Sequence, residues 1–184
     1  IMVKSSSKVL NDEEWMVQPQ FSNPNLRAAF SLKSIPVEGL EGRRSFAKKV
    51  GFDPKGLVIP KQTHSTNVSF AKSVNSIGNC DGVFTDKKDI VCSIQVADCM
   101  PIYFAHCSKN VYGIVHAGWR GLVYGILENT SQLIFENGYK LHDFEIFIGP
   151  SIQKCCFEIR DDIVGNFKVG CVTPAQENGK YNVD

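Results

Sequence analysis

Several features are scarce in this 184-residue chain. No apolar run approaches the roughly 18 residues that a membrane-spanning helix needs, so no such helix is expected. Neither sign of charge prevails, because 20 basic residues against 19 acidic ones leave a net charge of +1. That balance speaks against general binding to nucleic acid or to a membrane surface. No internal repeat, low-complexity tract or Pro/Gly/Ser-rich linker divides the chain, so one domain over 1–184 is expected. Ile1 to Lys8 lacks an apolar stretch of the signal-peptide kind, and a cytoplasmic location is the resulting expectation. Histidine numbers only four, which restricts any metal centre to a site with few imidazoles.

Hydrophobic residues at 43% and charged residues at 21% are ordinary for a globular domain with a substantial core. Cysteine is plentiful. Seven is an odd count, however, and no spacing resembles a small disulfide scaffold. Reduced thiols, mostly buried as small apolar groups, are therefore expected. Cys155 and Cys156 are adjacent, and their side chains are expected to point in different directions, making them poor ligands for a shared metal.

Short apolar runs alternate with helical patterns. Ala28 to Leu32 reads as a short strand. Glu41 to Val50 reads as a short helix with Gly51 at its C-terminal cap. Strands are expected over Gly56 to Pro60, Thr66 to Ala71, Ile90 to Val96, Pro101 to Ala105, Val111 to His116 and Phe144 to Ile148. Asn79 to Gly82 and Ser108 to Asn110 read as turns. From Gly121 the period changes: Leu122, Ile126, Leu133 and Ile134 fall on one helical face, and Gly138 marks the stop. Interleaved strands and helices place the fold in the α/β or α+β class. Gly179 to Asp184 reads as a terminal strand that ends in mid-pattern, from which a truncated chain is expected.

Three segments concentrate unusual chemistry. They are Gln62-Thr63-His64-Ser65, then Ala97-Asp98-Cys99-Met100-Pro101, then His116-Ala117-Gly118-Trp119-Arg120-Gly121. All three fall where strands give way to loops, the usual place for sites on such scaffolds. His64, Cys99 and His116 make a plausible N₂S ligand set for zinc with a fourth position open, as in catalytic rather than structural zinc. Spacings of 35 and 17 residues match no short zinc signature, so each residue retains a plain alternative: a hydrogen-bonded histidine or a buried thiol. Asp98 could orient a ligand or carry a proton. Arg120 at the mouth of a helix and Arg43 in the first helix are candidate anion partners. Trp119 is equally a core residue or a stacking platform, while His106 and His142 read as structural or exposed.

The same segments closely resemble the laccase-domain (YfiH-type) family, whose motifs run Gln-Val-His-Gly, Ala-Asp-Cys-x-Pro and His-Ala-Gly-Trp-Arg-Gly. Asp81-Gly82-Val83-Phe84-Thr85 is similar to its Asp-(Gly/Ala)-x-x-Thr segment. Gly149-Pro150-Ser151-Ile152 and Phe157-Glu158-Ile159 follow as its Gly-Pro-x-Ile and Tyr-Glu-Val do. The resemblance covers roughly residues 40–160. It implies a single YfiH-like α/β domain (α+β mixed sheets with flanking helices) and a metal held by His64, Cys99 and His116.

The implied activity is zinc-dependent purine nucleoside phosphorolysis of adenosine, inosine and methylthioadenosine, with adenosine deamination. Zinc is preferred over copper because a multicopper oxidase needs many more than four histidines. The implied partners are a purine nucleoside and phosphate, acting on a monomer or homodimer. Arg43 stands at the family's Asn-Arg position, with Gly42 in place of the Asn. Arg43, Arg120 and Gln62 are thereby candidates for substrate and phosphate, and Asp98, Cys99 and His116 for catalysis. Two departures stand out: Ser31-Leu32-Lys33-Ser34 runs almost directly into the first helix, and the chain stops where the family continues. Two other functional classes compete. One is a cysteine hydrolase or deamidase with Cys99 as nucleophile and His116 as base. The other is an inactive binding domain.

Overall fold

The computed structural model describes residues 15–17, 21–32, 35, 37–74 and 77–184. Expectations placed on Ile1 to Lys8 and on Lys33 and Ser34 lie outside those residues. In chain order the elements are β1 (Trp15–Val17), β2 (Ala29–Ser31), α1 (Gly39–Lys49), β3 (Leu57–Val58), β4 (Val68–Phe70), β5 (Gly82–Thr85) and β6 (Val91–Cys92). They continue with β7 (Met100–His106), β8 (Tyr112–Ala117), α2 (Trp119–Tyr124), α3 (Ile126–Glu136), β9 (Phe144–Ile148), β10 (Glu158–Arg160), α4 (Asp161–Val164), β11 (Val172–Pro174) and β12 (Lys180–Val183).

A five-stranded sheet in the order β4-β5-β8-β7-β9 organises the molecule. β4 runs parallel to β5, and every other pairing in it is antiparallel. Smaller sheets join β1 to β2, β3 to β6, and β10, β12 and β11. The terminal strand β12 is thus the middle strand of its sheet, covered on both edges. The mixed helices and mixed-orientation sheets match the expected fold class.

The central sheet is buried on both faces, and β5 shows why. Phe84 packs into a cluster with Phe104, Val115, Ile126, Ile134 and Phe144. Val83 points the other way, into a second cluster with Val58, Ala71, Cys80 and Ile90. Alternate side chains leave opposite faces of a strand, so one strand feeds both cores. α3 closes the first face with Ile126 and Ile134, and each contributes about 1.5–3 kcal/mol by burial.

Some sequence expectations need correction. Asn79 to Gly82 does not form a free-standing turn; it leads straight into β5, where the sequence pattern predicts no strand. The strand expected over Ile90 to Val96 shrinks to Val91–Cys92, which pairs in parallel with the equally short β3. The single helix expected after Gly121 is two helices broken at Gly125, whose φ of 98° no other residue type adopts easily. Leu122 consequently turns to solvent at 37% exposure, off the buried face that carries Ile126 and Ile134. The thiols are also less buried than expected, since all seven are free and Cys107, Cys155 and Cys156 are exposed.

Candidate metal centre

Strand register assembles the site at one end of the central sheet. The Pro101↔His116 and Met100↔Ala117 pairings set Cys99, just before β7, beside Gly118, just after β8. Gly82↔Val115 does the same for Asp81 and His116. The loop between β3 and β4 then brings in His64. The ligand atoms of His64, Cys99 and His116 all lie within 4.8 Å of one another. Cys99 Sγ is 3.8 Å from His64 Nε2, and the two imidazole rings meet edge to face at 4.8 Å between centroids. Gly118 makes this closeness possible: a Cβ there would stand 2.9 Å from His64 Cδ2 and 3.2 Å from Cys99 Sγ.

Asp81, to which the sequence reading gave no role, is the keystone. It is fully buried, and its Oδ1 lies 2.8 Å from His116 Nδ1. The backbone N–H groups of Thr63, His64 and Ser65 all donate to its carboxylate, at 3.2, 3.0 and 2.7 Å, and Ser65 Oγ–H adds a fourth bond at 2.7 Å. Those bonds hold His64 at a φ of 57°, a left-handed conformation uncommon outside glycine. One carboxylate therefore orients one candidate ligand and fixes the loop of another. Burial alone would raise the pKa of Asp81, but the bonds from His116, Ser65 and Thr63 outweigh it and hold the carboxyl below its usual range. With Asp81 accepting at Nδ1–H, His116 presents Nε2 to the cluster, the arrangement found behind most metal-bound histidines.

The donor set fits a metal ion. Burial pushes the Cys99 thiol up, and the charges of Asp98 and Asp81 push it further. A nucleophilic cysteine needs the opposite shift, whereas a bound cation compensates the two carboxylates and stabilises the thiolate. Among the described residues this is the cluster of three or more histidine, cysteine or acidic side chains able to hold a metal.

The family model described as "Multi-copper polyphenol oxidoreductase laccase" matches residues 16–184. The chain belongs to this laccase family. Curated relatives include a purine nucleoside phosphorylase of Haemophilus influenzae, 33% identical over 146 residues, covering 76% of this chain and 58% of the relative. An adenosine deaminase, RL5, from an unknown prokaryote is 30% identical over 139 residues, covering 70% of this chain and 53% of the relative. The chain thus spans little more than half the length of these two relatives. The crystal structure of Bacillus licheniformis hypothetical protein YfiH superposes over 95% of this chain and 78% of its own, with a TM-score of 0.82 at 19% identity, a likeness of fold.

Within this laccase-family framework the remaining candidates take definite places. Gln62 and Gln95 clamp the two ligand-bearing loops: Gln62 Nε2 donates to the Gln95 carbonyl at 2.8 Å, and Gln95 N–H donates to Gln62 Oε1 at 2.7 Å. Arg43 Nη2 reaches the same cluster through Gln95 Oε1 at 2.7 Å, so α1 is tied to the loops of His64 and Cys99. Its Nη1 is buried with no hydrogen-bond partner among the described residues. Burial lowers the pKa of this guanidinium, as expected for a cation with no counter-charge against it. Arg120 is exposed and lies over the Trp119 ring at 4.4 Å, while Trp119 leans on Phe167 at 5.8 Å. Asp98 is exposed beside Cys99, and its carbonyl accepts from Ile152 N–H at 2.9 Å. His106 is buried against Tyr139 and Phe144, and His142 is exposed, as expected for residues outside the site.

Proposed function

We propose that this chain carries a zinc-dependent purine nucleoside phosphorylase site that also deaminates adenosine. The observation that carries it is the convergence of His64, Cys99 and His116, with Asp81 behind His116. Two relatives bearing the names phosphorylase and deaminase support the substrate class. Two imidazoles and one thiolate suit zinc, and four histidines are too few for several coppers. When bound, zinc supplies a Lewis acid that polarises oxygen and activates water.

The chain's own groups account for the rest. In phosphorolysis a phosphate oxygen forms a bond to the ribose C1′, the C1′–N9 bond breaks, and the purine leaves with the electron pair. Phosphate needs cationic donors, and the unpartnered buried Nη1 of Arg43 is a donor already stripped of water. Arg120, lying over Trp119, is the second. Gln62 braces the His64 loop against Gln95 and so keeps the ligands in place. In deamination water adds at the purine C6 and ammonia leaves, with the exposed Asp98 carboxylate carrying the protons.

Metal content per chain, measured by mass spectrometry for wild type and Cys99→Ala, is the first test. About one zinc in wild type and almost none in the variant is expected, followed by phosphate-dependent base release from inosine or adenosine. No metal, or metal indifferent to Cys99, would overturn the zinc site. Rapid labelling of Cys99 by iodoacetamide with metal present would favour the cysteine-hydrolase alternative instead.

A further inference from the structure

Cys155 and Cys156 were expected to point apart. They do not. Both thiols are exposed, and their sulfurs lie 3.2 Å from each other. A tight turn brings them together: the N–H groups of Cys156 and Phe157 both donate to the Gln153 carbonyl at 2.9 Å, and Glu158 N–H closes onto Cys156 O at 3.1 Å. Phe157 anchors the far side of the turn against Phe167, 6.2 Å between ring centroids. The near side is fastened to the metal-centre loop through the bond from Ile152 N–H to Asp98 O.

Two exposed thiols facing one another form a bidentate soft-donor site, and the sulfur separation selects what it accepts. With bonds of about 2.3 Å to a shared centre, sulfurs 3.2 Å apart subtend an angle of about 90°. Tetrahedral zinc asks for about 109°. A three-coordinate pyramidal centre with a lone pair, such as trivalent arsenic, takes the narrower angle. Closing a disulfide would instead require the sulfurs to approach by roughly 1 Å and would consume an oxidant.

We propose that Cys155 and Cys156 form a vicinal dithiol site for trivalent arsenicals, separate from the His64–Cys99–His116 cluster. The reaction is a condensation. Two As–S bonds form, the arsenic–oxygen bond of an oxide R–As=O breaks, and the two thiol protons leave on that oxygen as water. Nothing is oxidised or reduced. The hydrogen bond shared with Cys155, and then repulsion between the two sulfurs, push the Cys156 thiol up, which keeps a proton available for the departing oxygen. Cys80 is buried, Cys92 is half-buried and Cys99 faces His64, so none of these three offers an exposed thiol paired with another.

The test uses the reduced, zinc-supplemented full chain and phenylarsine oxide as probe. Intact mass should show one phenylarsenic adduct per chain that resists 2-mercaptoethanol and is stripped by 2,3-dimercaptopropanol. Cys155→Ser and Cys156→Ser should each weaken retention roughly 100-fold or more through loss of the second, intramolecular bond. Cys107→Ser and Cys171→Ser should retain the adduct at full strength. Because both residues of the pair are exposed, circular dichroism should read the same for Cys155→Ser and Cys156→Ser as for wild type. No monothiol-resistant adduct on wild type, or one that survives either Cys155→Ser or Cys156→Ser, would overturn the proposal.

Discussion

Replacing Asp81 with asparagine changes one oxygen to an amide NH₂ and leaves the volume unaltered, so its effect isolates hydrogen bonding. The carboxylate accepts five bonds, divided between its two oxygens. Oδ1 takes His64 N–H and His116 Nδ1, while Oδ2 takes the N–H groups of Thr63 and Ser65 and the Ser65 hydroxyl. An asparagine amide can satisfy only one of these sides. If its NH₂ faces His116, the imidazole must switch tautomer to accept at Nδ1, placing a proton on Nε2, the nitrogen a metal requires. If it faces Thr63 and Ser65 instead, two backbone donors lose their acceptor. Either way at least one part-buried N–H goes unpaired, costing about 1–3 kcal/mol of stability, or about 2–4 °C in Tm per kcal/mol for a chain of this size. Zinc affinity should fall roughly 10–100-fold, the usual consequence of losing such a partner, or about 1.4–2.8 kcal/mol of binding. A competition titration with a chromophoric chelator reads the affinity, and a thermal melt of the metal-free protein reads the stability. Wild-type zinc affinity in a folded Asp81→Asn variant would refute the role assigned to this carboxylate.

Gly118→Ala should damage the centre without damaging the fold. Its φ of −72° and ψ of 161° suit alanine, yet the new Cβ would crowd His64 Cδ2 at 2.9 Å and Cys99 Sγ at 3.2 Å. Overpacking of about 1–3 kcal/mol placed on two ligands predicts zinc binding weakened roughly 5–150-fold with an unchanged circular dichroism spectrum, and full zinc content would contradict it. His106 offers a test by pH. Burial lowers its pKa against a partly opposing pull from Asp143, so the unfolded chain takes up the proton first, near pH 6.5. Stability from this residue is complete above that value and is lost as pH falls below it. Calorimetry between pH 7 and 5.5 should show Tm falling less steeply in His106→Gln than in wild type. Equal slopes would mean that His106 titrates alike in both states.

Apolar runs of five residues or more were legible. β7, β8 and β9 lie where Pro101 to Ala105, Val111 to His116 and Phe144 to Ile148 placed them, and β9 matches residue for residue. α1 and the stop of α3 followed from Gly51 and Gly138, both at positive φ. β5 escaped notice because Gly82 to Thr85 is only four residues long and begins in the stretch from Asn79 to Gly82 that reads as a turn. The three candidate ligands could be named from their motifs. Asp81 could not, because its contact with His116 depends on a cross-strand register between residues 35 apart in sequence. The facing of Cys155 and Cys156 depends likewise on a turn geometry that neither cysteine signals by itself.

The carboxylate that gathers Thr63, His64 and Ser65 also alters how that loop breathes. Amide protons in a surface loop ordinarily exchange with solvent through small local openings. Here three consecutive N–H groups end on a side chain rooted at the head of the fully buried strand β5. Opening the loop must break all of these bonds together, since one carboxylate accepts them and Ser65 Oγ–H as well. The amide protons of Thr63, His64 and Ser65 are therefore expected to exchange more slowly than those of an unanchored surface loop, giving one of the candidate ligands a longer-lived position than its loop setting suggests.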